Sequence, residues 1–237
     1  MNFPTVRLEG GLLSAEILEQ TAQGEAPGQT PGHFGLDKGV RLTDEIHRAW
    51  SDARHFWGTF KRLLARLSED DPATSDTRER WIIPLLRVLG YDLSYKSRAA
   101  VVEGQTFAIS HSAGKGEDAP PIHIVGCRQP LDRRSPTGRP RLSPHALVQE
   151  YLNRTEHLWG LVTNGYQLRL LRESLRTARP TYVEFDLRQM MEGEHLADFA
   201  LLFRLLHRTR LPRGVEDGKD CLLERYHLLS LIHISEP

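Results

Sequence analysis

The chain has little cysteine, no surplus of charge of either sign and no long apolar run, and each shortage excludes a class of protein. Its 2 cysteines in 237 residues, Cys127 and Cys221, are too few for a disulfide framework and lack metal-ligand spacing, which points to a reducing compartment, with the cytoplasm as the expected location. Lys and Arg number 31 against 31 Asp and Glu, so there is no global positive field, and any nucleic-acid surface must be local. The most apolar stretch, Leu196 to Leu206, is interrupted by Asp198 and Arg204 well short of the ~20 residues that a membrane span needs. The opening MNFPTVRLEGG has no charged region followed by an apolar one, so it does not read as a secretory signal. No repeat of solenoid period occurs. What is present is ordinary for a globular chain of one or two domains: 39% hydrophobic and 26% charged residues.

Periodicity organises most of the chain. Residues 1–40 are rich in Gly, Gln and Pro and read as a mobile segment with one short helix near Ser14 to Gln20. Over 41–72, Ile46, Trp50, Ala53, Trp57, Phe60, Leu64 and Leu67 recur in steps of three and four, predicting a long amphipathic helix with Thr43 as N-cap. Its basic residues Arg48, Arg54, Lys61, Arg62 and Arg66 fall off that stripe, as a solvated face or a phosphate track. A second helix, TSDTRERWIIPLLRVLG, carries Trp81, Ile82, Leu85, Leu86 and Leu89 inward, stops at Gly90 and should kink at Pro84.

Strand-like runs then span Leu93–Lys96, Ala99–Val102, Phe107–His111 and Ile122–Cys127. SPHALVQEYLNRT is a helix with Ser143 as cap and Pro144 at its first position. Asn164-Gly165 between two apolar runs is a hairpin signal in which both residues should take positive φ. A strand from Thr181 to Phe185 and helical sequence from Leu187 to Arg210 complete the pattern. Helices, strands, helix, hairpin, strand and helix in this order predict an α+β fold, helices packed on a small mixed sheet.

The landmarks WIIPLLRVLGYDL, IHIVGCRQ, SPHALVQEYLNRTEHLWGLVTNG and PTYVEFDL stand in an order that resembles the N-terminal region of type IIG-like restriction-modification proteins and related anti-phage DNA adenine methyltransferases. The likeness covers Thr77 to Leu211. It implies a restriction-endonuclease-like N-terminal domain over 73–210, a linker over 211–228, and a methyltransferase domain beyond it that binds S-adenosylmethionine and methylates adenine in double-stranded DNA. An active nuclease of that kind needs two carboxylates on adjacent strands to hold a divalent metal, with a lysine to position water. Here the first strand offers Ser110 and His111, and the second has Gly126 and Arg128 where Glu and Lys would stand. The implied domain is therefore degenerate, with no catalytic, metal or cofactor residues of its own. The alternatives are a metal-dependent endonuclease using Glu103, Asp118 or Asp132, and a non-enzymatic interaction module.

Other constellations are weaker. His111, His123 and Cys127 lack a fourth metal ligand. Ser110 and His111 are adjacent on an expected strand, where side chains alternate between faces, so they should not pair. The cofactor turn and the Asn-Pro-Pro-Tyr type of tetrapeptide that an adenine methylase needs do not occur in these 237 residues. The strongest local feature is CRQPLDRRSPTGRPRL, whose Arg128, Arg133, Arg134, Arg139 and Arg141 face one acid, Asp132. Such a loop suits DNA phosphate contacts, or is a solvated loop; Tyr151, Trp159, Tyr166 and Tyr182 are companions for base stacking, or core. The last nine residues, LSLIHISEP at 229–237, match the translation of an adapter used in transposase-based sequencing libraries. They are expected to be an artefact, and the chain the front piece of a longer, membrane-free protein.

Overall fold

The computed structural model describes residues 2–134, 141–175 and 179–234. Among these, the strands β1 (Val6–Glu9), β2 (Ser94–Tyr95), β5 (His111–Ser112), β6 (Pro121–Ile124), β7 (Trp159–Thr163), β8 (Gln167–Arg172) and β9 (Tyr182–Asp186) form one sheet in the order β1-β9-β8-β7-β6-β5-β2. The hairpin β3 (Ala100–Val102) and β4 (Gln105–Phe107) stands apart. All neighbours in the main sheet are antiparallel except β6 and β7, which are parallel and joined through helix α5 (Pro144–Arg154). A parallel pair needs such a crossover, because its chain must return to the starting edge. Helices and a mixed sheet make this an α+β fold, as expected.

The two-residue alternation of the strands sorts the core into layers. Ile122, Ile124, Leu161, Leu168, Leu170, Val183 and Phe185 face the larger cluster, which holds α1 (Ala15–Gln23), α2 (Leu42–Leu64), α4 (Ile83–Val88), α7 (Leu196–Leu206) and α8 (Leu222–Ile234). Val162, Leu171 and Tyr182 face the other way, onto Val148 and Leu152 of α5. Trp81 and Trp159 are fully buried.

Several helices form where periodicity places them. In α2, Ile46, Trp50, Ala53, Trp57 and Phe60 are buried, although its N-cap is Arg41 rather than Thr43. Ser143 caps α5 by accepting from the Ala146 N–H at 3.1 Å. The irregularity expected at Pro84 is realised as a π-helical turn, Thr77–Ile82, between the short α3 (Thr74–Asp76) and α4. Proline removes a donor and crowds the carbonyl four residues back, and a widened turn relieves both. The β7–β8 hairpin forms, but its central residues are Gly165 and Tyr166; only Gly165 takes positive φ (85°), while the Asn164 carboxamide accepts from the Tyr166 and Gln167 N–H groups.

Two expectations are corrected. Residues 1–40 are not a loose segment: β1 extends the sheet, and Leu12, Leu13, Ile17 and Phe34 are buried. Thr5 donates through N–H and hydroxyl to the buried Asp198 carboxylate at 2.8 and 2.6 Å. Nor is 211–228 a linker throughout, because α8 begins at Leu222 and buries Leu223 and Tyr226 completely. The N-terminal segment and α8 are tied to each other: Tyr226 donates to the Pro27 carbonyl and accepts from Gln29, and the Ser14 N–H donates to Ser230 Oγ at 2.9 Å. No helix among the described residues is long and apolar enough to cross a membrane.

Candidate nucleic-acid interface

The chain leaving β6 is fastened at almost every residue. A Cβ on Gly126 would lie 1.9 Å from the Pro72 carbonyl oxygen, so only glycine passes there. Cys127 N–H donates to Thr77 Oγ1 at 3.1 Å, and the Gln129 carbonyl accepts from Asn164 Nδ2 at 3.0 Å. Leu131 is buried, and its carbonyl accepts from the His145 N–H at the start of α5. Asp132 then receives a two-pronged bond from Arg169, NH1 to Oδ1 at 2.6 Å and NH2 to Oδ2 at 2.8 Å.

Arg169 is the hub of this fastening. It lies on β8 directly opposite Glu184 of β9, and its Nε donates to Glu184 at 2.5 Å. Its guanidinium carbon sits 4.4 Å from the Tyr182 ring centroid, and NH1 donates to His145 Nδ1 at 3.1 Å. Burial works against the Arg169 charge, yet the bonds to Asp132 and Glu184 outweigh it and raise its pKa above the ordinary arginine value. The same bond from Arg169 lowers the Asp132 pKa. His145 is pushed down to about 4, first by burial and then by the Arg169 charge, so its ring is neutral and accepts. On the neighbouring β1, exposed Arg7 pairs with Glu9 at 2.9 Å.

Next to this anchorage Arg133 and Arg134 are exposed, as is Arg141 shortly before α5; none of their side chains has a partner among the described residues. Arg139 lies outside the described residues. Arg128 does not belong with them. Its NH1 is held by the Ser68 and Asp71 carbonyls, so it acts as a strut between the loop and the end of the α2 region. The basic residues of α2 are also engaged: Arg48 with Glu45 and Asp52, Arg54 with Glu194, and Lys61 with Glu192. The aromatic companions are packing residues. Trp159 is fully buried, Tyr182 lies beneath Arg169, Tyr151 stacks on His157, and Tyr166 packs on Trp57.

Between β5 and β6, around Ser110, His111 and His123, stands a polar knot. The expectation that Ser110 and His111 cannot meet is corrected: the strand begins only at His111, and Ser110 Oγ lies 2.8 Å from His111 Nδ1. Ser110 Oγ also accepts from the Ile124 N–H at 2.9 Å, and Ser110 N–H donates to His123 Nδ1 at 3.3 Å. Arg78, unremarked in the sequence, donates through Nε and NH2 to the Ile124 carbonyl. Burial and then the Arg78 charge push His111 and His123 down to about 4. The hydroxyl is thus committed to tying β5 to β6. The alternative metal ligands are dispersed: Asp132 is on Arg169, Glu103 pairs with Arg154 at 2.9 Å, and Asp118 is exposed. No three His, Cys, Asp or Glu side chains among the described residues converge as a metal set.

The turn after β6 enters the parallel crossover, where an α/β cofactor site would open. Its glycine is packed against Pro72 rather than left facing a ligand. No family model, curated protein or solved structure matches this chain.

Proposed function

We propose that this chain is the DNA-positioning N-terminal region of a site-specific DNA adenine-N6 methyltransferase, acting in the cytoplasm in a restriction-modification or anti-phage system and catalytically silent by itself. The observation that supports this reading is the fastened backbone that leads up to Asp132. Among the described residues Arg133, Arg134 and Arg141 are free of protein partners, while the backbone beside them is held by Asp132, Gln129 and Leu131. Fastening the backbone up to Asp132 during folding removes part of the cost of ordering the adjoining Arg133 and Arg134 on binding. Guanidinium groups so placed contact phosphates and set the register of the duplex without reading bases. Methyl transfer and S-adenosylmethionine binding belong, in this reading, to a downstream domain against which this one packs. The dispersal of Glu103, Asp118 and Asp132 argues against the endonuclease alternative.

Fluorescence anisotropy of a labelled duplex between about 50 and 200 mM salt tests the loop. Replacing Arg133, Arg134, Arg139 and Arg141 together by Ala should weaken binding and flatten the salt slope by up to about 0.9 for each phosphate no longer neutralised. An unchanged slope discards the loop as the contact, and an absence of salt-dependent binding in the parent chain favours the interaction module. The methyltransferase assignment is tested by reading the source DNA past the Leu228 codon without transposase adapters. A Gly-rich cofactor turn and an Asn-Pro-Pro-Tyr-like tetrapeptide in frame are expected, and a stop codon after Pro237 would overturn it.

A further inference from the structure

The sheet ends at β1, and the outer edge of that strand carries backbone groups that the fold does not use. The Asp186 N–H donates to the Thr5 carbonyl at 2.8 Å, which fixes the phase of the β1–β9 ladder, so Arg7 and Glu9 turn their backbone groups toward β9. Hydrogen bonding alternates along an antiparallel strand, so the N–H and C=O of Leu8 and the C=O of Val6 point away from the sheet. The Val6 N–H is taken by the Phe3 carbonyl, whereas Leu8 has no backbone partner on that side among the described residues. Side chains alternate too. Val6 and Leu8 are half-buried against the larger core cluster, while Arg7 and Glu9 share the opposite face, 64% and 40% exposed.

An open edge of this kind is a template for another strand. A strand with opposite charges two residues apart is complementary to a second copy of itself. When two β1 strands pair antiparallel across a two-fold axis at Leu8, the two Leu8 residues exchange both of their backbone bonds, and each Arg7 stands opposite the partner's Glu9. These flanking pairs are of the non-hydrogen-bonded kind, with Cα atoms about 4.5 Å apart, where side chains meet most closely. Centring the axis one residue earlier would set Arg7 against the partner's Arg7, so charge selects the register centred on Leu8. The Arg7–Glu9 pair within each strand is exposed and worth little, and it is exchanged for the same pair across the axis. We propose that the chain forms a two-fold dimer by joining β1 to β1 of a second copy, which continues the sheet through both protomers. The joint uses none of the arginine loop.

Sedimentation velocity of the full chain from micromolar to millimolar concentration should show a monomer–dimer equilibrium. Arg7→Glu sets a carboxylate against the partner's Glu9, and Glu9→Arg sets a guanidinium against the partner's Arg7, so each variant alone should dimerise at least about tenfold more weakly. Mixed one to one, the two variants should form a heterodimer, because opposite charges then face each other at both positions. Leu8→Pro removes the outward donor at a sheet edge, where proline is tolerated, and should abolish the dimer with the charges intact. Arg7→Glu also stands opposite Glu184 within its own chain, so Glu9→Arg and Leu8→Pro carry the test if that variant melts early. Association through the exposed apolar residues of α8 would be insensitive to these charges and would not be restored by mixing. A parent that stays monomeric at millimolar concentration would overturn the proposal. So would a dimer that the variants leave unaltered, or a mixture that behaves as each variant does alone.

Discussion

Four histidines, His111, His123, His145 and His207, are held neutral inside the fold, each with its pKa pushed down to about 4 chiefly by burial. Geometry agrees at three of them, because His123 Nδ1 accepts from the Ser110 N–H, His145 Nδ1 from Arg169 and His207 Nδ1 from the Thr209 N–H. A protonated nitrogen cannot accept, so charging any of these rings breaks its bond. Unfolding returns each to about 6.5, so the unfolded chain binds more protons between pH 6.5 and 4. The stabilisation is complete above pH 6.5 and is lost as the pH falls toward 4. Between pH 7.5 and 5.5 the loss is on the order of 1 kcal/mol per histidine, a few kcal/mol for the group, a sizeable share of the stability of a typical domain. Urea titrations at pH 7.5, 6.5 and 5.5, followed by the fluorescence of the buried tryptophans, should show the midpoint falling steeply. His207→Gln should lower stability at pH 7.5 yet reduce the pH dependence by about a quarter. A midpoint that stays level from pH 7.5 to 5.5 would refute the reasoning.

The Arg169 hub should respond unequally to removal of its partners. Arg169→Met leaves Glu184, with its side chain 10% exposed, without a counter-charge and should cost about 3–5 kcal/mol, whereas Asp132→Asn removes a carboxylate 70% exposed and should cost only about 0.5–1 kcal/mol while weakening DNA binding by more than that. Equal losses in urea titrations would contradict this assignment. At Gly165, φ is 85° and an added Cβ would sit 2.7 Å from Thr77 Cγ2, so Gly165→Ala should cost roughly 1–2 kcal/mol of backbone strain plus about 1–3 of overpacking. Gly104→Ala, at similar φ in open space, is the control and should show the backbone cost alone. Leu228 and Ile232 are 51% and 58% exposed on α8, and replacing both with Gln should reduce self-association in light scattering. A monodisperse parent monomer would contradict that expectation.

Much of the architecture was legible in local pattern. The three-and-four spacing from Ile46 to Phe60 determined α2, Ser143-Pro144 determined the start of α5, and apolar runs flanking Asn164-Gly165 determined the hairpin. Each rests on the conformational preferences of residues a few positions apart, which act before any tertiary contact exists. The N-terminal forty residues were illegible for the opposite reason. Their apolar residues follow no single period, and their order comes from partners about 190 to 220 positions away, such as Asp198 for Thr5 and Ser230 for Ser14.

The arginine loop divides the same way. Composition alone marked its charge. Which arginines remain available was decided only by the tertiary structure, because Arg128 is consumed by carbonyls of the Ser68–Asp71 segment and Asp132 by Arg169 on β8. The Ser110–His111 contact is of that kind too, since alternation forbids it within a strand and the break in the strand at residue 110 allows it. Local sequence determined the helices, the hairpin and where charge collects. The fold decided which charges are satisfied, because a hydrogen bond depends on where distant strands bring donors and acceptors together, and periodicity carries no record of that.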